Sequence, residues 1–136
     1  MYVKTIKYTD FLGVEREEDF HFHYSKAEIT EKQLSTSGGF AEMIFRIVKA
    51  QNHPELYKVF KELVLDAYGE ISPDGRKFIK VDANGRRLSD DFAQTEAYSQ
   101  MMTEFTTDDK AAIEFFEKVF PVNEVSKPAA VAPAAL

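Results

Sequence analysis

The run VEREEDFHFHY, Val14 to Tyr24, alternates strictly, and the tetrapeptide SKAE behind it, Ser25 to Glu28, ends the alternation at once. Val14, Arg16, Glu18, Phe20, Phe22 and Tyr24 share one face; Glu15, Glu17, Asp19, His21 and His23 share the other. A period of two is that of a half-buried strand. Thr5 to Tyr8 supplies an extended partner, and Thr9, Asp10, Phe11, Leu12 and Gly13 supply a loop with a glycine at its end. The first 24 residues therefore predict a β-hairpin with one solvated face. Two strands alone are marginal in water, so the hairpin must pack on something. At Ser25 a hydroxyl stands three residues before Glu28, the spacing at which each side chain satisfies the other's backbone amide and a helix begins. That helix carries only Ala27, Ile29 and Leu34 as apolar residues and stops before the Ser35 to Gly39 run.

Helical periodicity governs the rest. Phe40, Met43, Ile44, Ile47 and Val48 form one stripe. Pro54 opens a third helix at a position that needs no amide, and Leu56, Tyr57, Phe60, Leu63, Val64, Ala67 and Tyr68 follow, with Gly69 as its expected stop. The turn signals Ser72-Pro73-Asp74-Gly75 and Asp82-Ala83-Asn84-Gly85 flank a short apolar segment, Phe78, Ile79 and Val81, that suits a short strand or loose hairpin. Ser89 with Asp90 and Asp91 predicts the start of a fourth helix reaching Phe105. Thr106 or Thr107 predicts the start of a fifth, with Ala112, Ile113, Phe116, Val119 and Phe120 as its stripe and Pro121 as its end. The expected architecture is α+β, an N-terminal β-hairpin packed on about five short α-helices. Residues 1–121 are expected to form a single globular domain, and the Ala/Pro-rich residues 122–136 a flexible tail.

Composition narrows the function classes. The chain has 136 residues, 44% hydrophobic and 29% charged, which fits one domain that closes its own core. The absence of cysteine removes disulfides, thiolate metal sites and cysteine nucleophiles. No apolar run is long enough for a membrane span or a secretory signal, so a soluble cytosolic protein is expected. A formal charge of −6 argues against nucleic acid as a partner, because phosphate contacts need a cationic surface. The unusual term is the aromatic one: 12 Phe and 6 Tyr with no Trp.

Candidate chemistry is sparse. His21 and His23 point to one strand face beside Asp19, a pair that a small metal-dependent enzyme would use; no further ligand is assignable, and a solvated strand face explains the same pattern. The carboxylates of Glu15, Glu17, Glu18 and Asp19 are spaced as on an exposed strand rather than as a catalytic pair. The Asp82 turn lacks the glycine and glutamate positions of a calcium loop, and Gly38-Gly39 lacks the Lys-Ser/Thr of a phosphate loop. No cofactor is expected. Charge placement is more telling. Glu15, Glu17 and Asp19 make an acidic edge, while Arg76, Lys77, Lys80, Arg86 and Arg87 concentrate positive charge in the turn region. Two solvated faces account for this, and so does a homo-oligomer in which one copy's acidic hairpin meets the next copy's basic segment. Phe45 and Phe115 lie off the main stripes of their helices, and Phe11 and Leu12 occupy the loop tip. Each is either core on a helix buried on two sides or, where exposed, an anchor for a partner.

Three segments, KTIKYTDFLGVEREEDFHFHYSKAEI (4–29), YGEISPDGRKFIK (68–80) and FAQTEAYSQMMTEFTTDDKAAIEFF (92–116), in this order and at these spacings, resemble the small tail assembly chaperones of long-tailed bacteriophages of Gram-positive bacteria. The resemblance spans residues 3 to 121; Val81 to Leu88 and the Ala/Pro-rich end depart from the pattern. It implies a non-enzymatic protein of the host cytoplasm that binds the tape measure protein, keeps that long helical partner soluble and presents it to the tail tube protein. In related systems a ribosomal frameshift near the end of the short form appends a second domain, and the segment from Val122 is where such a junction would fall. The alternative within binding proteins is a virion structural component, a tail terminator or connector subunit.

Overall fold

A computed structural model describes residues 1–121; the expected tail lies outside the described residues. The order of elements is β1 (Tyr2–Thr9), β2 (Glu15–Phe22), α1 (Lys26–Ser35), α2 (Phe40–Ala50), α3 (His53–Ala67), β3 (Tyr68–Ile71), β4 (Phe78–Ile79), α4 (Leu88–Phe92), α5 (Glu96–Thr107) and α6 (Asp109–Val119). The four strands form one antiparallel sheet in the order β1-β2-β3-β4. The architecture is the α+β one expected, with the hairpin at the N-terminus and helices packed behind it.

The hairpin register pairs Tyr2 with Phe22 and Thr9 with Glu15. From Phe22 at the root to Ile6 midway along the hairpin the inward residues are buried, but toward the tip the same face carries Val14 and Arg16, which are exposed. The alternation thus marks a strand throughout, while only its second half is roofed by helices. The outer part of the hairpin projects past the core.

Ser25 and Glu28 form the reciprocal cap: the Glu28 amide donates to Ser25 Oγ at 3.1 Å and the Ser25 amide to Glu28 Oε1 at 2.7 Å. In α1 only Ile29 is buried. Asn52 caps α3, with Pro54 in its first turn. The expected fourth helix is two. Arg87, not Ser89, precedes α4, Ser89 is buried within it, and the chain turns at Ala93 to Gln94 before Thr95 caps α5 through the Tyr98 amide at 3.2 Å. Asp108 rather than Thr106 or Thr107 caps α6, accepting from the amides of Lys110 and Ala111.

Gly69 does not end α3 as a left-handed cap. Tyr68 leaves the helix directly in extended conformation, and Gly69 is the second residue of β3. A Cβ there would lie 2.5 Å from the Phe78 ring and 2.7 Å from the Ile79 carbonyl oxygen. The glycine is required because the neighbouring strand β4 brings the Phe78 ring and the Ile79 carbonyl against its Cα. The two turn signals close as expected, with Gly75 donating to the Ser72 carbonyl at 2.8 Å and Gly85 to the Asp82 carbonyl at 3.0 Å.

The surplus of aromatic residues becomes two groups of touching rings, one between the sheet and α3 to α6, the other where α2 meets the end of α6. Phe22 lies 5.6 Å from Phe115 and 5.8 Å from Phe92, both edge-on, and Tyr68 stacks on Phe92 at 4.3 Å. Phe105 and Phe60 extend this group through α5 and α3, while Phe116 and Phe120 stack on each other at 5.3 Å and meet Phe40 of α2; all four are fully buried. Edge-to-face and offset contacts of this kind contribute beyond simple area burial.

Candidate partner-binding surfaces

The hairpin loop is held by its own first residue. Asp10 Oδ1 accepts from the amides of Leu12 and Val14, both at 2.9 Å, and Asp10 Oδ2 receives Arg16 Nε at 2.7 Å. These bonds, led by the Arg16 guanidinium and then the Val14 amide, hold the Asp10 carboxyl below the usual carboxylate range. Gly13 takes φ 82°, which lets its amide return to the Asp10 carbonyl at 3.0 Å. The result is a fixed loop that presents Phe11 at 77% and Leu12 at 88% exposure. Beside it, the α4–α5 turn leaves a cleft of about 240 Å³ lined by Tyr8, Asp10, Phe11, Asp91, Gln94, Thr95 and Glu96.

The other two aromatic candidates separate. Phe45 is 40% exposed and meets Phe116 edge-on at 5.5 Å, lining a second groove with Ala41, Phe120 and Pro121, rimmed by Glu42 and Glu117. Phe115 is 0% exposed, within 5.1 Å of Tyr2 and 4.7 Å of Phe105. It cannot serve as an exposed anchor. Helix α6 is buried on two sides, Phe115 toward the hairpin and Phe116 toward α2, so a residue off one stripe belongs to a second.

Most of the basic segment is engaged within the chain. Lys80 pairs with Glu28 at 2.9 Å and lies over the Tyr24 ring at 4.8 Å; Arg87 pairs with Asp66 at 3.0 Å and Arg86 with Asp91 at 2.8 Å. Lys80 and Arg87 thus tie the segment after β3 to α1 and α3, and Lys32, which reaches Glu62 and Asp66, ties α1 to α3. Arg76 and Lys77 are exposed and make none of the ion pairs found among the described residues. On the acidic side Glu17 pairs with Lys7 at 3.4 Å, and Asp19 accepts from the Thr5 hydroxyl, while Glu15 is exposed. The intended complementarity between copies is therefore reduced to two cations.

His21 lies opposite Gly69, and the His23 amide donates to the Ala67 carbonyl at 2.8 Å. The His23 ring packs edge-on against Phe78 at 5.7 Å, and its Nδ1 is buried without a hydrogen-bond partner. Burial, then the N-terminal ammonium and Lys80, push this imidazole below its ordinary pKa against the pull of Glu28. Among the described residues no three His, Asp or Glu side chains converge as a metal site. Among them, too, no helix is long and apolar enough to cross a membrane.

A sequence profile described as phage tail assembly chaperone matches residues 1–133. The chain belongs to the phage tail assembly chaperone family. No curated protein and no solved structure matches it. In this family member the cleft residues Asp91, Gln94 and Glu96 escape a reading of the sequence, because they depend on the break between α4 and α5. The signal for that break is Thr95, a capping residue directly before the Glu96-Ala97-Tyr98 start of a new apolar stripe.

Proposed function

We propose that this chaperone acts without catalysis or cofactor in the host cytoplasm of a long-tailed phage of Gram-positive bacteria. There it binds the tape measure protein, keeps it soluble and presents it to the tail tube protein. Membership of the tail assembly chaperone family over residues 1–133 carries the reading. The exposed Phe11-Leu12 tip supports it, since large apolar side chains presented to water on a loop whose backbone is hydrogen-bonded in place suit a binding protein. Affinity capture from infected cells tests it: the tape measure protein should co-purify, and the chaperone should be absent from finished particles. Stoichiometric presence in purified virions would instead make it a tail terminator or connector subunit.

Self-association of the acidic edge, Glu15, Glu17 and Asp19, with the basic segment is a separate proposal that now depends on Arg76 and Lys77. Light scattering at low and high salt checks it. Association that salt dissolves supports it, and a monomer under both conditions at high protein concentration rejects it.

A further inference from the structure

We infer that the hairpin tip and the cleft beside it form the docking surface for a cationic amphipathic helix. Phe11 and Leu12 meet the partner's apolar stripe, and Glu96 at the cleft, whose carboxylate makes none of the ion pairs found among the described residues, receives a Lys or Arg from the same face. This rests on the chaperone reading and names the surface and partner chemistry for it.

Three observations carry the assignment. First, Phe11 and Leu12 are large and exposed, yet their loop is fixed by the hydrogen bonds that the Leu12 and Val14 amides donate to Asp10 and by the Asp10–Arg16 pair. Binding there orders little that is not already ordered, so less of the contact energy is lost to entropy. Second, the cleft of about 240 Å³ is smaller than the pockets of about 300–1,000 Å³ that enclose small-molecule ligands, and Phe11 is part of its lining. It has the dimensions of a seat for one long side chain. Third, the charge left unpaired at the cleft is negative. Asp10, Asp91 and Glu96 line it and no lysine or arginine does. Arg16 and Arg86 neutralise Asp10 and Asp91, while Glu96 is exposed and makes none of the ion pairs found among the described residues, so the cleft keeps one uncompensated negative charge. On a helix, residues three or four apart share a face, so one apolar residue and one cation at that spacing reach the tip and the cleft together.

A second copy of this chain fits less well. Its apolar turn region offers Lys77 beside Glu70 and Asp82, with Lys80 already held by Glu28. The α2–α6 groove is rimmed by Glu42 and Glu117 and would repel the tip.

The test uses the full chain and two labelled 18-residue peptides of identical amphipathic pattern, one of leucine and lysine, the other of leucine and glutamate. Fluorescence anisotropy should show binding of the lysine peptide only. The double variant F11S/L12S should weaken it roughly tenfold or more, as expected for exposed anchors, with unchanged circular dichroism and melting. E96K should weaken it several-fold, and E96Q less. Binding by F11S/L12S within twofold of the parent would mean charge alone attracts the peptide and would overturn the proposal. So would equal binding of the glutamate peptide. Light scattering of the peptide-free protein assigns the other occupant: self-association abolished by F11S/L12S would give the tip to a second copy and also overturn it. During infection, F11S/L12S that still captured the tape measure protein would remove the tip's role while leaving the chaperone reading intact; a parent protein that captured none would remove the reading itself.

Discussion

His23 shows how one side chain couples the sheet to pH. Its Nδ1 is buried without a partner and its pKa lies below the ordinary value. The unfolded chain therefore binds a proton at a pH where the folded protein does not, and stability falls with pH below about 6.5. Stability is full above that value and is lost progressively toward the depressed folded pKa. Urea unfolding of the parent and His23→Gln between pH 8 and 5 should show the parent losing more stability on acidification; parallel curves would refute the coupling. Gln51 is the other residue under local constraint, the one non-glycine at positive φ (53°) among the described residues, where it closes α2. Left-handed backbone is costly for a residue with a Cβ, and Gln51→Gly should stabilise by about 0.5–1 kcal/mol. The bond it gives up, Nε2 to Asp109 at 3.4 Å, is long and exposed. A lower denaturation midpoint for the glycine variant would show that this bond outweighs the backbone relief.

Among the elements, α1 depends most on its ends. It buries only Ile29, so its place is set by the Ser25–Glu28 cap, the Glu28–Lys80 pair and the Lys32 contacts. Ser25→Ala should cost about 1 kcal/mol and lower the melting temperature by roughly 2–5 °C, measured by circular dichroism. A change of under a degree would mean that Lys80 and Lys32 hold the helix without its cap. The cap was legible in the sequence because it is a local pattern four residues long, as were the hairpin and the stripe of α3. Gly69 and Phe115 were not. What Gly69 needs is set by Phe78 and Ile79 across the sheet, and what Phe115 touches is set by Tyr2 and Phe105. The α4–α5 break failed for a similar reason, since Ser89 satisfies a capping pattern on paper but is buried within α4. The candidate surface was half legible: Phe11 and Leu12 stand out at a loop tip, while Glu96, which gives the cleft its unpaired charge, is brought beside them by folding.

Across the whole molecule, stability and binding occupy different ends of one hairpin. The root, Tyr2 and Phe22, is gripped by Phe115 and Phe92, whereas the tip stands beyond the core and touches it through Tyr8, which packs on Phe20 at 6.4 Å. The two kinds of phenylalanine should therefore respond in opposite ways. Phe115→Ala removes a fully buried ring from the centre of the cluster, at a cost of about 3–5 kcal/mol. That is a large part of the roughly 5–15 kcal/mol that holds a domain folded, so the variant should melt far lower or fail to accumulate. Phe11→Ser changes a side chain that is mostly in water and should leave unfolding within about 0.5 kcal/mol of the parent. Thermal and urea unfolding of both variants measure the contrast directly. A stable Phe115→Ala would mean that α6 does not clamp the hairpin root. A strongly destabilised Phe11→Ser would mean that the tip is folded against something, and that its exposed apolar pair is held for stability and not for a partner.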